Sequence, residues 1–425
     1  MSQDFVNTLS SKLPEIARDF GTPCHVYDEA GIRKTLEFMK GEAEKCGVKN
    51  FKEFFAVKAL PVPAILRIVK EYGFGFDCSS EVEVILAREA GARPEDIMFT
   101  SNNTKTAEFE LALSEGGCIL NLDDVSFLYH SIWDSMEFPE TICFRVNPGD
   151  LLKGDGAQLS MSGSDAKYGI MVSQINEAYQ IAQEKGAKTF GMHTMVCSND
   201  LEYRHMVDTI EVLVDFAFQL KKDTNIDISF INIGGGMGIP YRPGQEPFDM
   251  GSLLRWMGII QKGLPFDLKI YMESGRYVTG PHGALVNRAI NKKEIYQEYV
   301  GVQTAMPGLM RPAIYGAYHH ITVHDGLSGE QKEDALDCSV SIVGDICENC
   351  DRLTDEPRVL PFINTGEIDG DFVVTWCCGA HAAAMGFNYN GRPRPGAVMI
   401  RSDNSVVRVV RPETVEHLLG RTDGL

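Results

Sequence analysis

The sequence predicts a (β/α)8 barrel, the TIM-like form of the α/β class, together with a second, all-β domain. From about residue 50 to 280, short β-rich runs alternate with stretches that have helical periodicity. Polar residues or glycines recur where these runs end. After about residue 281 the helical periodicity nearly disappears, and short strands separated by turn residues follow. This second region is typical of a sandwich or a Greek-key barrel.

The barrel is predicted to span 36–280. The β domain is predicted to comprise 1–35 plus 281–425, because the segment TPCHVYD before the barrel is also strand-like. A doubly wound open sheet is the alternative to the barrel. The barrel is favoured because eight repeat units are visible and no dinucleotide-binding fingerprint is present.

The predicted barrel strands are rich in β-branched and aromatic residues. In chain order they are FKEFFAVKA, GFGFDCS, IMFTS, CILNLDD, TICFRVNP, FGMHTMV, ISFINIGGG and KIYMESG. Among the intervening helices, Val62, Ile65, Leu66 and Val69 share one helical face. The stretch EVEVILAREAG follows Ser79 and Ser80, both candidate N-caps, and ends at Gly91.

A barrel of this type has its active site at the carboxyl ends of its strands. The residues at those ends are therefore the candidates for functional roles. They are Lys58, Asp77, Ser101 with Asn102, Asn121, Arg145, His193, Gly234 to Gly236, and Glu273.

Composition excludes some classes of partner. With 40 basic and 59 acidic residues, the net charge is −19, which disfavours nucleic acid and anionic membranes as partners. The start, MSQDFVNTLSSKLPEI, has no signal-peptide pattern, and no apolar run is long enough to span a bilayer. Eleven cysteines in so long a chain do not resemble a disulfide framework. We expect a cytoplasmic protein.

Lys58 ends the apolar run FFAVKA. Partial desolvation at such a position would lower the pKa of the ammonium group and favour covalent catalysis through the amine. A lysine whose stem packs along the strand is the alternative.

Two further motifs follow along the chain. The glycines of GGGMGIPY allow main-chain N–H groups to close around a phosphate, although a plain structural turn would look the same. In MESGRY, a carboxylate such as Glu273 can keep a pyridine nitrogen protonated, which makes pyridoxal phosphate an electron sink. A surface ion pair between Glu273 and Arg276 is the alternative.

The lysine, the glycines and the Glu-x-Gly-Arg motif occur in the order seen in the fold-type III pyridoxal-phosphate decarboxylases, which this chain resembles. GFDCSSEVE, FRVNPG and GDICENCD resemble further motifs of that family. LMRPAIYGAYHH and NYNGRPRP are similar to the diaminopimelate decarboxylase branch in particular.

The resemblance implies a pyridoxal 5'-phosphate enzyme that is a homodimer with shared active sites. In such an enzyme the barrel binds the cofactor, and the β domain completes the active site and forms the dimer interface. Lys58 would carry the cofactor and Glu273 would pair with its ring nitrogen. Cys347 would reach the partner subunit's site and return a proton after CO2 leaves. The remaining expected cofactor contacts are Asp77, Arg145, Ser198, Gly234, Gly235, Gly236, Gly275, Arg276 and His381. The expected substrate contacts are Arg276, Arg311, Tyr315, Glu348 and His381.

Two residues depart from the family pattern. Met195 stands where a histidine stacks on the cofactor ring; a thioether can cover the ring but supplies neither a proton nor a charge. His381 replaces a tyrosine that contacts phosphate and substrate. An imidazole can donate a hydrogen bond there and titrates nearer neutral pH.

The activity that the resemblance implies is decarboxylation of meso-2,6-diaminopimelate to L-lysine, a carbon–carbon lyase reaction of lysine biosynthesis. The alternatives are decarboxylation of another diamino acid or a carboxylated polyamine, racemisation or epimerisation on the same fold, and a non-catalytic role in cofactor homeostasis. Glu273 disfavours a racemase, which places an arginine at the ring nitrogen, and the β domain disfavours the homeostasis proteins. No metal site is expected. Cys377 and Cys378 are predicted to be buried thiols, and His319 and His320 to have a structural or supporting role.

Overall fold

The structure is a computed structural model that describes residues 2–152, 159–333 and 338–423. In chain order, its α-helices are α1 (Gln3–Asp19), α2 (Glu29–Lys45), α3 (Pro63–Glu71), α4 (Glu81–Glu89), α5 (Thr106–Leu113), α6 (Ile175–Glu184), α7 (Tyr203–Thr224), α8 (Met250–Gly263), α9 (Gly275–Thr279), α10 (Arg311–Tyr315) and α11 (Val415–Leu419).

The strands alternate with these helices in the first part of the chain and succeed one another in the second. They are β1 (Cys24–Asp28), β2 (Lys52–Ala56), β3 (Gly75–Cys78), β4 (Ile97–Ser101), β5 (Ile119–Leu122), β6 (Thr141–Asn147), β7 (Leu159–Ser160), β8 (Ile170–Met171), β9 (Thr189–His193), β10 (Cys197–Ser198), β11 (Ile228–Asn232), β12 (Lys269–Met272), β13 (Gly283–Glu294), β14 (Glu298–Val302), β15 (Ile321–His324), β16 (Cys338–Val343), β17 (Arg358–Leu360), β18 (Phe372–Trp376), β19 (Gly396–Ile400) and β20 (Val406–Val410).

The chain forms two compact units. One consists of Thr35–Ile239 and Glu246–Val278, and is called here the barrel unit. The other consists of the residues up to Lys34, Pro240–Gln245 and the residues from Thr279, and is called here the β unit. The sequence pattern does not predict that the short segment 240–245 belongs to the β unit.

Eight parallel strands close the barrel. Their order is β5-β4-β3-β2-β12-β11-β9-β6, and β5 also pairs with β6, which completes the ring. The predicted (β/α)8 barrel is therefore confirmed. Its interior is filled by side chains from five strands, which pack as one apolar cluster: Phe54, Met98, Cys143, Phe230 and Tyr271.

The barrel helices form for the local reasons that their sequences indicate. In α3, Ile65, Leu66 and Val69 are all buried. The helix α4 begins after Ser80, whose Oγ accepts the backbone N–H of Glu83 and so satisfies a donor of the first turn.

The β unit contains a mixed sheet, with strand order β17-β16-β14-β13-β1-β19-β20. Strand β18 pairs with β13, and β15 pairs with β18. The early strand β1 lies between β13, which is antiparallel to it, and β19, which is parallel. The predicted second, β-rich domain is thus confirmed as a mostly-β unit that also contains the helices α1, α10 and α11, and the segment TPCHVYD contains β1 of its sheet.

Some elements were not predicted. One of them is the helix α1, which precedes β1. It could have been recognised from the sequence, because its buried apolar residues recur at helical spacing: Phe5, Leu9, Leu13 and Ile16. The strand β17 was also missed. It has three residues, so it presents too few side chains for an alternating pattern to be recognised. No helix in the described part of the chain is both long and apolar enough to cross a membrane.

Gly191 leaves space for an aromatic ring in the barrel interior. A Cβ built on Gly191 would lie 2.0 Å from Cζ of Phe230, whose ring packs against Tyr271 at a centroid distance of 5.0 Å. We predict that Gly191→Ala lowers the free energy of unfolding by about 1–3 kcal/mol, because an overpacked core must shift to accept the methyl group. Denaturant unfolding of the purified variant measures the change.

The matched control is Gly41→Ala, at an exposed position of α2 where a new Cβ meets nothing within 4 Å. That variant should be neutral or more stable by about 0.5–1 kcal/mol, because alanine is the better helix former. Adding Phe230→Leu to Gly191→Ala should restore part of the loss. A double variant whose losses simply add would contradict the steric explanation.

Candidate active site

Lys58 lies directly after β2, in a single 3-10 turn formed by Val57–Ala59. Its two neighbours are buried, whereas 51% of its own side chain is exposed. The amine Nζ donates to Oδ2 of Asp77, on the adjacent strand β3, at 3.1 Å. The turn therefore presents an amine at the carboxyl end of the barrel while its flanking residues remain in the core.

The expectation that desolvation lowers the pKa of Lys58 is wrong. The Asp77 carboxylate, and next the carboxylate of Glu273, stabilise the ammonium and raise the pKa of Lys58 above its ordinary value. Burial in turn raises the pKa of Asp77, with a further contribution from Glu273. The sequence run FFAVKA shows an apolar strand, but it cannot show which charges the neighbouring strands bring to its end.

Glu273 follows β12 and is buried. Its Oε1 accepts a hydrogen bond from Nδ2 of Asn232 at 2.7 Å, and Nε2 of His193 lies 3.4 Å from its Oε2. Burial alone would raise the pKa of Glu273, but His193 and Lys58 outweigh burial, so the pKa is lowered. The carboxylate is thus held ionised and oriented by three neighbours.

Arg145, the arginine of FRVNPG, lies on β6 and is buried. Its Nε is 3.8 Å from Oδ1 of Asp123, and its guanidinium carbon lies 4.2 Å from the ring centroid of Tyr168. Burial lowers the pKa of Arg145, yet a guanidinium remains charged over the whole physiological range. The barrel mouth therefore holds two cations, Lys58 and Arg145, among its buried carboxylates.

The glycine turn follows β11. Gly234 and Gly236 adopt positive φ angles, +67° and +105°, which glycine accepts without strain. A Cβ at Gly234 would lie 2.5 Å from the Thr194 carbonyl oxygen, and one at Gly235 would lie 2.5 Å from that of Glu273. The chain's own backbone therefore requires these glycines, and the N–H of Gly234 donates to Oδ1 of Asn232 at 2.9 Å.

Met195 contacts this turn directly. Its Sδ accepts the backbone N–H of Gly235 at 3.1 Å. Nearby, Nη2 of Arg276 donates to Oγ of Ser198 at 3.3 Å, which brings together two of the predicted cofactor residues. Gly275 packs on the lysine turn, since a Cβ there would lie 2.7 Å from Cβ of Ala59.

The predicted substrate residues Arg311 and Tyr315 both lie on α10 of the β unit. Arg311 is 2% exposed, and Tyr315 is 39% exposed. Nη1 of Arg311 lies 2.7 Å from Nε2 of His319. The guanidinium carbon is also 4.5 Å from the ring centroid of Tyr241. Burial of so large a cation among aromatic groups requires strong local compensation.

The other predicted residues of the β unit lie on loops. Cys347 and Glu348 are exposed and follow β16; the backbone N–H of Cys347 donates to Oδ1 of Asn390 at 2.6 Å. His381 follows β18 and has a positive φ of +54°, which is rare for a residue with a side chain. Cys377 and Cys378 are buried free thiols, as predicted.

Four residues of the barrel site had no predicted role: His193, Asn232, Asp123 and Glu53. His193 stands at a strand end, so its position was recognisable, but its proximity to Glu273 was not. Glu53 is fully buried on β2 and accepts the backbone N–H of Ser274. In the described part of the chain, no group of three or more His, Cys, Asp and Glu side chains is placed to hold a metal ion.

Comparison with known families and proteins agrees with this geometry. Residues 32–280 match the model of the family described as pyridoxal-dependent decarboxylase, pyridoxal binding domain. The chain is 37% identical to protein TabA of Pseudomonas amygdali pv. tabaci, over 99% of this chain and 96% of that protein. It is 34% identical to diaminopimelate decarboxylase of Methanothermobacter thermautotrophicus, over 95% of this chain and 92% of that protein.

Solved structures show the same fold. A crystal structure of a diaminopimelate decarboxylase has 27% identity and a TM-score of 0.84, and covers 97% of this chain and 96% of that chain. The enzyme of M. jannaschii in complex with L-lysine has 25% identity and a TM-score of 0.84, and covers 97% and 94%. A lysine/ornithine decarboxylase of Vibrio vulnificus in complex with cadaverine, at 18% identity and a TM-score of 0.76, covers 94% and 99% and shares the fold.

The residues at the barrel mouth fit pyridoxal 5'-phosphate, the cofactor of this family. Three buried polar atoms, Oδ1 of Asp77, Nη2 of Arg145 and Nδ1 of His193, have no hydrogen-bond partner among the described residues. Buried polar atoms of this kind are normally satisfied, so they are consistent with a polar ligand. Lys58 offers an amine for an aldehyde, and Glu273 an ionised carboxylate for a ring nitrogen.

We predict that Asp77→Asn lowers the pKa of Lys58, because it removes the charge that contributes most to raising that pKa. The neutral, nucleophilic amine should then be present at lower pH than in the unmodified protein. The measurement is the rate at which an amine reagent modifies Lys58 in cofactor-free protein, followed from about pH 7 to 10 by mass spectrometry.

Lys49 provides an internal control in the same digests, since its pair with Asp267 is exposed and lies 3.1 Å apart. Its reaction profile should not change. An unchanged Lys58 profile in the Asp77→Asn protein would show that Asp77 does not control the amine.

Proposed function

Because this chain belongs to the pyridoxal-dependent decarboxylases, we propose that it decarboxylates meso-2,6-diaminopimelate to L-lysine, a reaction of lysine biosynthesis. The chain is a pyridoxal-phosphate-dependent amino-acid decarboxylase, and its substrate is a small amino acid. The matches to diaminopimelate decarboxylases over nearly the whole chain support the choice of substrate. The match to protein TabA makes a direct test of substrates the necessary experiment.

The observation that carries the proposal is Arg311. Arg311 is 2% exposed, and its guanidinium lies beside the imidazole of His319 and the ring of Tyr241, so a cation is held in the interior of the β unit. A carboxylate ligand would form charge-assisted, bidentate hydrogen bonds with such a group. Diaminopimelate carries a second carboxylate that ornithine and lysine lack, so it supplies the matching anion.

In this proposal the barrel unit holds the cofactor. Lys58 would bind it covalently through its amine, Glu273 would pair with the ring nitrogen, and Arg145 would contact the cofactor. The glycine turn and the neighbouring polar groups would hold the phosphate. The proposed cofactor contacts are Lys58, Asp77, Arg145, Ser198, Gly234, Gly235, Gly236, Glu273, Gly275, Arg276 and His381.

Bound pyridoxal phosphate supplies an electron-withdrawing ring that stabilises the electron pair left when CO2 departs. The ionised Glu273 keeps the ring nitrogen protonated, and Asn232 and His193 keep that carboxylate in place. Sγ of Cys347 then gives its proton to the carbon that lost the carboxylate. One C–C bond is broken, one C–H bond is formed, and CO2 leaves.

The far end of the substrate is held by residues of the β unit. Arg311 pairs with the distal carboxylate, Tyr315 contributes its hydroxyl, and Glu348 accepts from the distal ammonium. Arg276 and His381 complete the proposed substrate contacts. Because a site that pairs with a charged group rejects analogues that lack it, this end determines specificity.

We also propose a homodimer with shared active sites, in which Cys347 of one protomer serves the site that contains the partner's Lys58. The exposure of Cys347 and Glu348 on one loop supports a role in contacting a second chain. A cytoplasmic location is part of the proposal, because the described cysteines are free thiols.

We predict that meso-diaminopimelate is preferred over lysine and ornithine as a substrate by at least roughly a hundredfold in kcat/KM, since either analogue, with its α-carboxylate at the reacting position, lacks the second carboxylate that Arg311 is proposed to bind. Arg311→Ala should remove most of this preference. The measurement is CO2 release from the holoenzyme with each amino acid, together with the chirality of the product.

Arg401→Ala is the matched control, because Arg401 is half exposed on the β unit and lies 3.4 Å from Glu29. It should leave the preference unchanged. Equal turnover of ornithine, lysine and diaminopimelate by the unmodified enzyme would refute the proposed substrate, and His381 would be the first residue to examine.

The shared site makes a second prediction. Lys58→Ala and Cys347→Ala proteins should each be inactive, but mixing them should restore activity, because a hybrid dimer contains one site with both native groups. The expected recovery is about a quarter of wild-type activity per chain, since random exchange makes half of the dimers hybrid and each hybrid has one intact site of two. Activity is followed as CO2 release after subunit exchange.

Cys350→Ala is the control, because this second exposed cysteine of the same loop has no proposed role. It should be active without mixing. Proven subunit exchange without recovery of activity would exclude a site shared in this way.

A further inference from the structure

Two short contacts connect the guanidinium of Arg311, through His319, to the backbone of β18. Nη1 of Arg311 lies 2.7 Å from Nε2 of His319, and Nδ1 of His319 lies 2.9 Å from the backbone oxygen of Trp376. Trp376 ends β18, and its side chain is fully buried. His319 is also fully buried. The imidazole of His319 therefore connects the long side chain of Arg311 to the backbone of the strand β18.

These partners determine the protonation state of the imidazole. The Trp376 carbonyl can only accept a hydrogen bond, so Nδ1 of His319 must carry a proton. The Arg311 guanidinium can only donate, so Nε2 must be without one. His319 is thus a neutral imidazole in the Nδ1–H form, and it satisfies one donor of Arg311 without adding a charge to the site.

Tyr241 limits the orientation of both groups. Its ring centroid is 4.5 Å from the Arg311 guanidinium carbon and 4.8 Å from the His319 ring centroid, at an interplanar angle of 64°. Stacking on one face and a hydrogen bond at one edge leave a planar guanidinium little rotational freedom. A fixed fork of donors recognises a carboxylate better than a mobile one, because its ordering entropy is already lost.

We propose that His319 is a positioning residue for carboxylate recognition: as a neutral acceptor it orients Arg311 toward the substrate's distal carboxylate and so contributes to substrate specificity. This inference rests on the proposed function in one respect, the pairing of Arg311 with that carboxylate. It goes further in assigning part of the specificity to a residue that need not touch the substrate.

L-Lysine, the product of the proposed reaction, and cadaverine are matched probes, because they carry the same two amino groups and only L-lysine keeps the carboxylate that was distal in diaminopimelate. We would titrate the holoenzyme with each by calorimetry. The unmodified enzyme should bind L-lysine more tightly than cadaverine. His319→Leu should weaken L-lysine binding by roughly tenfold, the value of one hydrogen bond to a charged group, and leave cadaverine binding unchanged.

Two conservative variants separate positioning from a purely structural role. In His319→Gln, the amide oxygen can reach the place of Nε2 and accept from Arg311, so most of the L-lysine affinity should be retained. In His319→Asn, the shorter amide can replace only the contact with Trp376, so the loss should resemble that of His319→Leu. His320→Leu is the control; His320 lies 3.5 Å from the Tyr318 hydroxyl and should be replaceable without effect on the ratio.

The outcomes are distinguishable. An unmodified enzyme with no preference for L-lysine over cadaverine would overturn the Arg311 assignment in the proposed function. A preference that survives in His319→Leu would overturn the positioning role alone. Rescue by asparagine and not by glutamine would also overturn it, because the contact with Trp376 would then be the one that matters.

Discussion

The burial of several carboxylates around one amine governs the chemistry of the barrel mouth. Removing a carboxylate from water is unfavourable unless hydrogen bonds or opposite charges replace the solvent. The carboxylate of Asp77 accepts a hydrogen bond from the ammonium of Lys58. The carboxylate of Glu273 accepts one from Asn232 and lies beside the imidazole of His193. Glu53 accepts the backbone N–H of Ser274, and burial raises its pKa well above the ordinary value, so it favours the neutral acid. The three carboxyl groups thus differ in how strongly their surroundings favour the ionised form.

This distribution of charge explains how one small region can serve two tasks. An ionised Glu273 is suited to a protonated ring nitrogen, while the ammonium of Lys58 is stabilised by Asp77. The same neighbours determine both properties, since Glu273 raises the pKa of Lys58 and Lys58 lowers that of Glu273. The two functions are therefore linked, and a change to either group alters the other.

In the β unit the buried charge described above is a cation, Arg311, and it contacts two neutral groups. The guanidinium of Arg311 lies against the ring of Tyr241 and beside the imidazole of His319. A neutral acceptor and an aromatic face compensate part of the burial and leave the charge available. The departure at Met195 is accommodated in a similar way, through a weak acceptor that holds a backbone N–H of the glycine turn.

The sequence by itself determined the architecture and the identity of most groups at the site. Period-2 and period-3.6 patterns are local properties, so eight strand–helix units and a following β-rich region were recognisable without coordinates. The order of Lys58, the glycine turn and Glu273 placed them at strand ends, where a barrel collects its functional residues. The helix α1 was equally readable from its apolar spacing but was not predicted.

Only the tertiary structure decided the electrostatics and the supporting contacts. The pKa of Lys58 is raised and not lowered because Asp77 and Glu273 come from other strands, and no local pattern contains that proximity. His319 lies eight residues from Arg311, but its anchor Trp376 is far away in the chain and is brought there by the pairing of β15 with β18. Charge interactions and tautomers depend on distances of a few ångströms between distant segments. Local sequence patterns do not encode those distances, and folding sets them.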